Sequence, residues 1–163
     1  MLKSYSLKHE RGEQFEPLLL AYRDAVNRVL EELWGALEWK RKLPGKKEWR
    51  LIPKYKVDIH SGEYRRELRN SLLQEWPYAA HWVDSAIKTA YSIFKSWRKS
   101  YLKGDRRRRR PTARRLFARA KQTLIKLEGE KLRLTVKPGE HVYLDLSKRY
   151  FPLPGGGVLG WAG

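Results

Sequence analysis

Leu124-Ile125-Lys126-Leu127-Glu128-Gly129-Glu130-Lys131-Leu132-Arg133-Leu134-Thr135-Val136 carries the clearest strand pattern in the chain. Leu124, Lys126 and Glu128 alternate with Ile125 and Leu127. Leu132, Leu134 and Val136 alternate with Arg133 and Thr135. A period of two marks strands, and Glu128-Gly129-Glu130 between the two runs predicts a hairpin turn. Lys137-Pro138-Gly139-Glu140 predicts a second turn, leading into a third strand from His141 to Leu146. The tail from Pro152 through Gly155-Gly156-Gly157 reads as loop.

Upstream the period changes. Leu2 to Leu7 alternates and predicts a short strand. From about Glu13, Phe15, Leu18, Leu19, Tyr22, Val26, Val29, Leu30, Leu33 and Leu37 recur at steps of three and four, the spacing of an amphipathic helix. Pro17 fits only the first turn of that helix. Lys42 to His60, with Pro44-Gly45, Pro53 and many cations, reads as loop. Ser61 predicts the cap of a second helix carrying Tyr64, Leu68, Leu72 and Leu73. Pro77 separates it from a third, with Val83, Ala86, Ile87, Ala90, Phe94, Trp97 and Tyr101 on one side and Gly104 as its stop. Arg114 to Ala120 is expected to form a further helical turn. Strand, helices, strands make an α+β chain. The expectation is a small antiparallel β-barrel with an inserted helical bundle, because a lone first strand needs the later hairpin to satisfy its backbone groups.

Between the third helix and the hairpin lies Arg106-Arg107-Arg108-Arg109-Arg110-Pro111, followed by Arg114, Arg115, Arg119 and Lys121. From Lys95 to Lys121 there are thirteen Lys or Arg and one acid, Asp105. Such a cluster repels itself unless a polyanion lies against it, and nucleic acid is the partner whose phosphates supply that charge. The alternative for a charge run is a solvated tail, but this one sits between two structured segments. The formal net charge of the 163 residues is +18. Trp49 lies among Lys46, Lys47, Arg50, Lys54, Tyr55 and Lys56, and aromatics interleaved with cations stack on unpaired bases.

Composition narrows the remaining classes. No apolar run is long enough to span a bilayer, and Met1-Leu2-Lys3-Ser4-Tyr5 lacks the apolar core of a signal peptide. No membrane partner and a cytoplasmic location are the expectations. There is no Cys, hence no disulfide and no thiolate metal site. Two Asn, three Gln and 33% charged residues follow the composition of thermophiles. His9, His60, His81 and His141 fall in no metal-ligand or triad spacing. The carboxylates, among them Glu31-Glu32, Glu128, Glu130 and Asp145, are scattered, whereas metal-dependent phosphodiester cleavage needs several converging on one site. No catalytic residue, metal or cofactor is expected.

Several segments together resemble the N-terminal part of the TnpB/OrfB proteins of insertion sequences, especially archaeal ones. They are the first strand, Tyr22-Arg23-Asp24-Ala25-Val26-Asn27, Ala90-Tyr91-Ser92-Ile93-Phe94, Gly104 with the basic stretch, Arg114-Arg115-Leu116-Phe117, the hairpin Leu127 to Leu134, and Asp145-Leu146-Ser147-Lys148-Arg149-Tyr150-Phe151. The resemblance implies an oligonucleotide-binding wedge barrel built from residues 1–10 and 121–163, with residues 11–120 as an inserted recognition lobe and basic connector. It implies binding of guide RNA and target DNA, with a RuvC-like nuclease domain following in the family. The protein would then read a short adjacent motif while the guide reads the target. Tyr78, His81, Lys121 and Gln122 match family positions facing target-adjacent DNA, although Pro77 departs from the family there. The chain ends before the family's nuclease acids and zinc cysteines, so a binding module without nuclease activity is the expectation. The alternatives are a stand-alone basic RNA-binding protein of a large ribonucleoprotein, such as a ribosome-associated factor, and a complete small nuclease.

Overall fold

The computed structural model describes residues 15–41, 51–120, 124–129 and 131–145. Helix α1 (Glu16–Gly35) has Pro17 in its first turn, where the missing N–H has no partner to lose. Leu18, Tyr22, Ala25, Val26, Val29, Leu30 and Leu33 are its buried face. The helix stops before Leu37, which instead opens strand β1 (Leu37–Arg41). Strand β2 (Leu51–Tyr55) pairs with it antiparallel, Leu37 opposite Tyr55 and Trp39 opposite Pro53.

This hairpin corrects two expectations, that α1 runs through Leu37 and that Lys42 to His60 is loop throughout. Pro53 was the misleading residue. In a two-stranded sheet both strands are edges, so a proline without an N–H fits there. Pro53 is also buried, and its carbonyl accepts from Arg98 Nη2 at 3.3 Å.

Helix α2 (Gly62–Leu73) starts where Ser61 Oγ accepts from the Tyr64 N–H at 3.2 Å. Helix α3 (Ala80–Lys103) ends at Gly104, whose φ of 96° is the left-handed cap that glycine adopts without strain. Side-chain contacts fix the helix directions. Tyr22 meets Ser85 and Thr89, while Trp34 meets Trp97, so α1 and α3 run parallel. Arg69 bonds Asp84 and Arg65 lies over Tyr91, so α2 runs antiparallel to α3. The core sits between α1 and α3, with Val26, Val29, Leu30, Leu33, Val83, Ala86 and Ala90 fully enclosed.

The C-terminal strands β3 (Ile125–Glu128), β4 (Lys131–Lys137) and β5 (Glu140–Asp145) form an antiparallel sheet in the order β3-β4-β5. Gly129 at the first turn and Gly139 at the second have positive φ. The pairing of β4 with β5 slips between Thr135 and Lys137, leaving Val136 as the extra residue of a bulge. The Val136 carbonyl accepts from the Ala79 N–H at 2.9 Å, and the Thr135 carbonyl from Trp82 Nε1 at 3.0 Å. The irregularity therefore docks the sheet onto the start of α3. The fold is α+β with two small antiparallel sheets, and among the described residues no closed barrel is formed. The expected first strand and the C-terminal tail lie outside the described residues.

Trp82→Phe removes the N–H that holds Thr135 and leaves that carbonyl unpaired. The expected cost is about 1–3 kcal/mol, read by denaturant melts. A second expectation concerns alkali. Burial, then the neighbouring Tyr91, Glu32 and Glu67, push the Tyr64 hydroxyl up to about 12, and burial also raises Tyr55 and Tyr91. The unfolded chain releases these protons near 10, so between about 10 and 12 it binds fewer protons than the native state and stability falls as pH rises. Below 10 the contribution is intact. Tyr64→Phe should therefore shrink the alkaline loss of melting temperature and leave neutral pH behaviour alone.

Candidate nucleic-acid interface

After Gly104 the chain turns back and runs along α1 in the opposite direction. Arg110 lies at Glu31 (4.0 Å), Ala113 at Asn27, Arg114 at Arg23, and Phe117 against Tyr22. This connector is irregular, with neither helix nor strand, and so lacks the helical turn expected for Arg114 to Ala120. The reason lies in its backbone bonds. Asn27 Nδ2 donates to the Ala113 carbonyl at 3.0 Å, and Asn27 Oδ1 accepts the Ala113 N–H at 2.7 Å. Arg23 Nη1 donates to the Arg114 carbonyl at 3.1 Å, and Ser85 Oγ donates to the Arg119 carbonyl. A helical turn from Arg114 would need the Ala113 and Arg114 carbonyls for itself.

The serine bond extends inward. Ser85 has one hydroxyl proton and gives it to Arg119, so the 3.0 Å contact with Tyr22 requires the Tyr22 hydroxyl to donate to Ser85. The 2.8 Å contact between Tyr22 and Thr89 then requires Thr89 to donate to Tyr22. Three buried hydroxyls form one directed chain that ends on the connector. Pro111 is buried, and Phe117 stands edge-on to Tyr22 with ring centroids 5.8 Å apart.

With its backbone held, the connector presents its cations outward. Arg106, Arg107, Arg108, Arg109, Arg110, Arg114, Arg115 and Arg119 are all exposed. Arg106, Arg107, Arg109, Arg110 and Arg114 come together around a cleft of about 290 Å³, walled also by Trp97 and lined by no carboxylate. Arg108 turns aside and lies over the Trp39 ring, 5.3 Å from its centroid. Trp39 belongs to a cluster with Trp34, Trp97 and Tyr101, whose ring centroids are 5.2–6.2 Å apart. This cluster is core, as the stripe on α3 predicts. The Tyr101 hydroxyl donates to the Leu51 carbonyl at 2.6 Å and joins the β1-β2 hairpin to the helix that leads into the arginines.

The other predicted residues lie elsewhere. Lys54, on β2 opposite Glu38, and Lys56 are exposed. Lys56 lines a broader groove with Glu31, Glu32 and Arg110, where two acids offset the cations. Tyr78 and His81 are at the other end of α3, about 36 Å along a 24-residue helix. Tyr78 is half-buried between Trp76 and the Lys137 ammonium, and His81 is exposed with Nδ1 3.9 Å from Asp84. Trp49, Lys121 and Gln122 lie outside the described residues. Among the described residues no three of His, Asp and Glu gather as a metal site, and no helix is long and apolar enough to cross a membrane.

Sequence reasoning missed the residues that hold the connector: Tyr22, Arg23, Asn27, Ser85 and Thr89. The available signal was polar residues at helical spacing on or beside an apolar stripe, Ser85 and Thr89 four apart on α3 among them. Asn27→Leu leaves net charge unchanged and strips both bonds from Ala113. It should cost about 1–3 kcal/mol and speed tryptic cleavage between Arg106 and Arg115 in the otherwise native protein.

Comparison with known proteins places this arrangement. Residues 18–135 match the family described as the uncharacterized protein MJ0013 family. The chain is 39% identical over 153 residues to the uncharacterized protein MJ0013 of Methanocaldococcus jannaschii, covering 85% of this chain and 91% of that protein. It is 36% identical over 151 residues to the TnpB-like protein MJ1635 of the same organism, covering 91% of this chain but only 33% of that relative's length. No solved structure matches. The segment matched by the family takes in α2, α3, the arginine run and all of α1 but its first two residues. The chain belongs to the MJ0013 family and is a TnpB-related protein of archaeal type.

Proposed function

We propose that this chain is a nucleic-acid-binding module of a TnpB-like, transposon-encoded RNA-guided system, holding guide RNA and target DNA and carrying no nuclease chemistry of its own. The observation that carries the reading is the acid-free cleft of five arginines on a backbone fastened to two helices. Arginine forks bind phosphate oxygens in pairs, and a fixed backbone loses less freedom on binding than a tail would. The likeness to a TnpB-like relative supports RNA and DNA as the polyanions. Arg115 and Arg119 extend the strip, with Lys121 and Gln122 next along the chain. Tyr78 and His81 mark a second contact region, suited by position to target-adjacent DNA. Lys54 on β2 and Lys56 just after it add further cations, with Trp49 a short way upstream in sequence.

A second reading, a stand-alone basic RNA-binding protein of a large ribonucleoprotein such as a ribosome-associated factor, is served equally by the exposed arginine strip. Sequencing the RNA that copurifies separates the two. One short transposon-end transcript supports the first reading, and ribosomal RNA supports the second.

Replacing Arg107, Arg108 and Arg109 together by Ala should weaken binding to RNA and DNA alike, whatever their sequence. The slope of log affinity against log salt should flatten by about 2, since each lost phosphate contact removes roughly 0.7–0.9. An unchanged slope in filter-binding assays would sink the assignment.

A further inference from the structure

Among the described residues, Trp97 differs from Trp76 and Trp82 in how its indole donor is placed. Trp76 Nε1 donates to the Ala79 carbonyl and Trp82 Nε1 to the Thr135 carbonyl, each at 3.0 Å. Trp97 is only 2% exposed, yet its Nε1 finds no hydrogen-bond partner among the described residues. A buried donor left unmade costs free energy that an arriving acceptor returns. Trp97 is also the aromatic wall of the arginine cleft.

The cleft has the size and charge of a discrete site. Its volume, about 290 Å³, lies at the lower edge of the roughly 300–1,000 Å³ typical of small-ligand pockets. A phosphate with its adjoining sugar fits that space, while a duplex does not. A phosphate brings several oxygens to the surrounding guanidinium forks, more than a carboxylate can offer. Arg108 does not compete for the place, because it lies over Trp39. The contact of Arg110 with Glu31 is long, at 4.0 Å between exposed side chains, so it holds that guanidinium weakly.

We propose that the cleft beneath the arginine run binds one individual phosphate group, with the Trp97 indole N–H as a neutral donor and Arg107 and Arg109 as charged ones. The proposal rests on the nucleic-acid reading and sharpens it, from a diffuse cationic strip to a strip with one anchoring socket. The phosphate comes from an internal phosphodiester or from the monoester at a strand end.

The test follows the indole N–H resonance of Trp97 in the ¹⁵N-labelled full chain, assigned by its loss in Trp97→Phe. Inorganic phosphate is titrated against chloride at equal ionic strength. The expected result is a saturable shift with phosphate only, with apparent affinity at least about tenfold weaker in Arg107→Ala/Arg109→Ala, a surface variant that leaves the core untouched. A 5′-phosphorylated oligoribonucleotide should move the same resonance. If its unphosphorylated twin moves it equally, the source is an internal phosphodiester, and if only the phosphorylated strand does, the source is a strand end. A resonance that responds to phosphate no more than to chloride overturns the socket, the N–H being then satisfied by a neighbouring ring face. In that event, oligonucleotide binding that persists in gel shifts leaves the broader reading standing, and its absence removes both.

Discussion

The carboxamide of Asn27 meets the N–H and the C=O of Ala113 at once, as a neighbouring strand would, and the course of the whole connector follows from it. The orientation of the amide is set by the partners, since a flip would place donor against donor and acceptor against acceptor. Around this clamp the remaining fastenings fall in sequence along the connector: Arg23 at Arg114, Phe117 at Tyr22, and the hydroxyl chain from Thr89 through Tyr22 and Ser85 to Arg119. Neutral groups hold most of this backbone. The guanidiniums are thereby left for an external anion, and the connector's hold on the helices is less sensitive to salt than ion pairs would be.

Parallel packing of α1 and α3 makes the connector necessary. Two parallel neighbours leave their ends together, and the chain leaving α3 must return to the start of α3 to meet the bulged strand β4. It runs back as irregular chain along α1, touching α3 at Ser85. The β1-β2 hairpin supports the far end of that return, through Tyr101 to Leu51 and Arg98 to Pro53, and Trp39 on it takes the Arg108 guanidinium. Both the helical core and the two sheets therefore converge on one segment.

The helices were legible because their cues are local. Pro17, Ser61 and Gly104 each act within one turn, and the apolar stripes repeat over several. The hairpin from Ile125 to Lys137 was legible for the same reason, as period two around a glycine with positive φ. The β1-β2 pair was not. Its strands are five residues each, one contains a proline, and what holds them is a set of contacts to α3 some fifty residues away. The charge of the arginine run is plain in the sequence, but its irregular path along α1 is not, because that path is set by a side chain 86 positions distant. In the sequence Tyr22 and Asn27 stand out only as part of a family-like motif, and the connector they grip gives that motif a physical purpose.

The acid-free lining of the cleft has a thermodynamic corollary. Guanidiniums gathered on one side of a domain push against one another, and this mutual repulsion is paid out of the folding free energy. Any anion that settles among them relieves the repulsion and adds its own mass-action term to the native state. Binding of such an anion and folding would thus be linked. An anion held there would count among the forces that keep the native state folded.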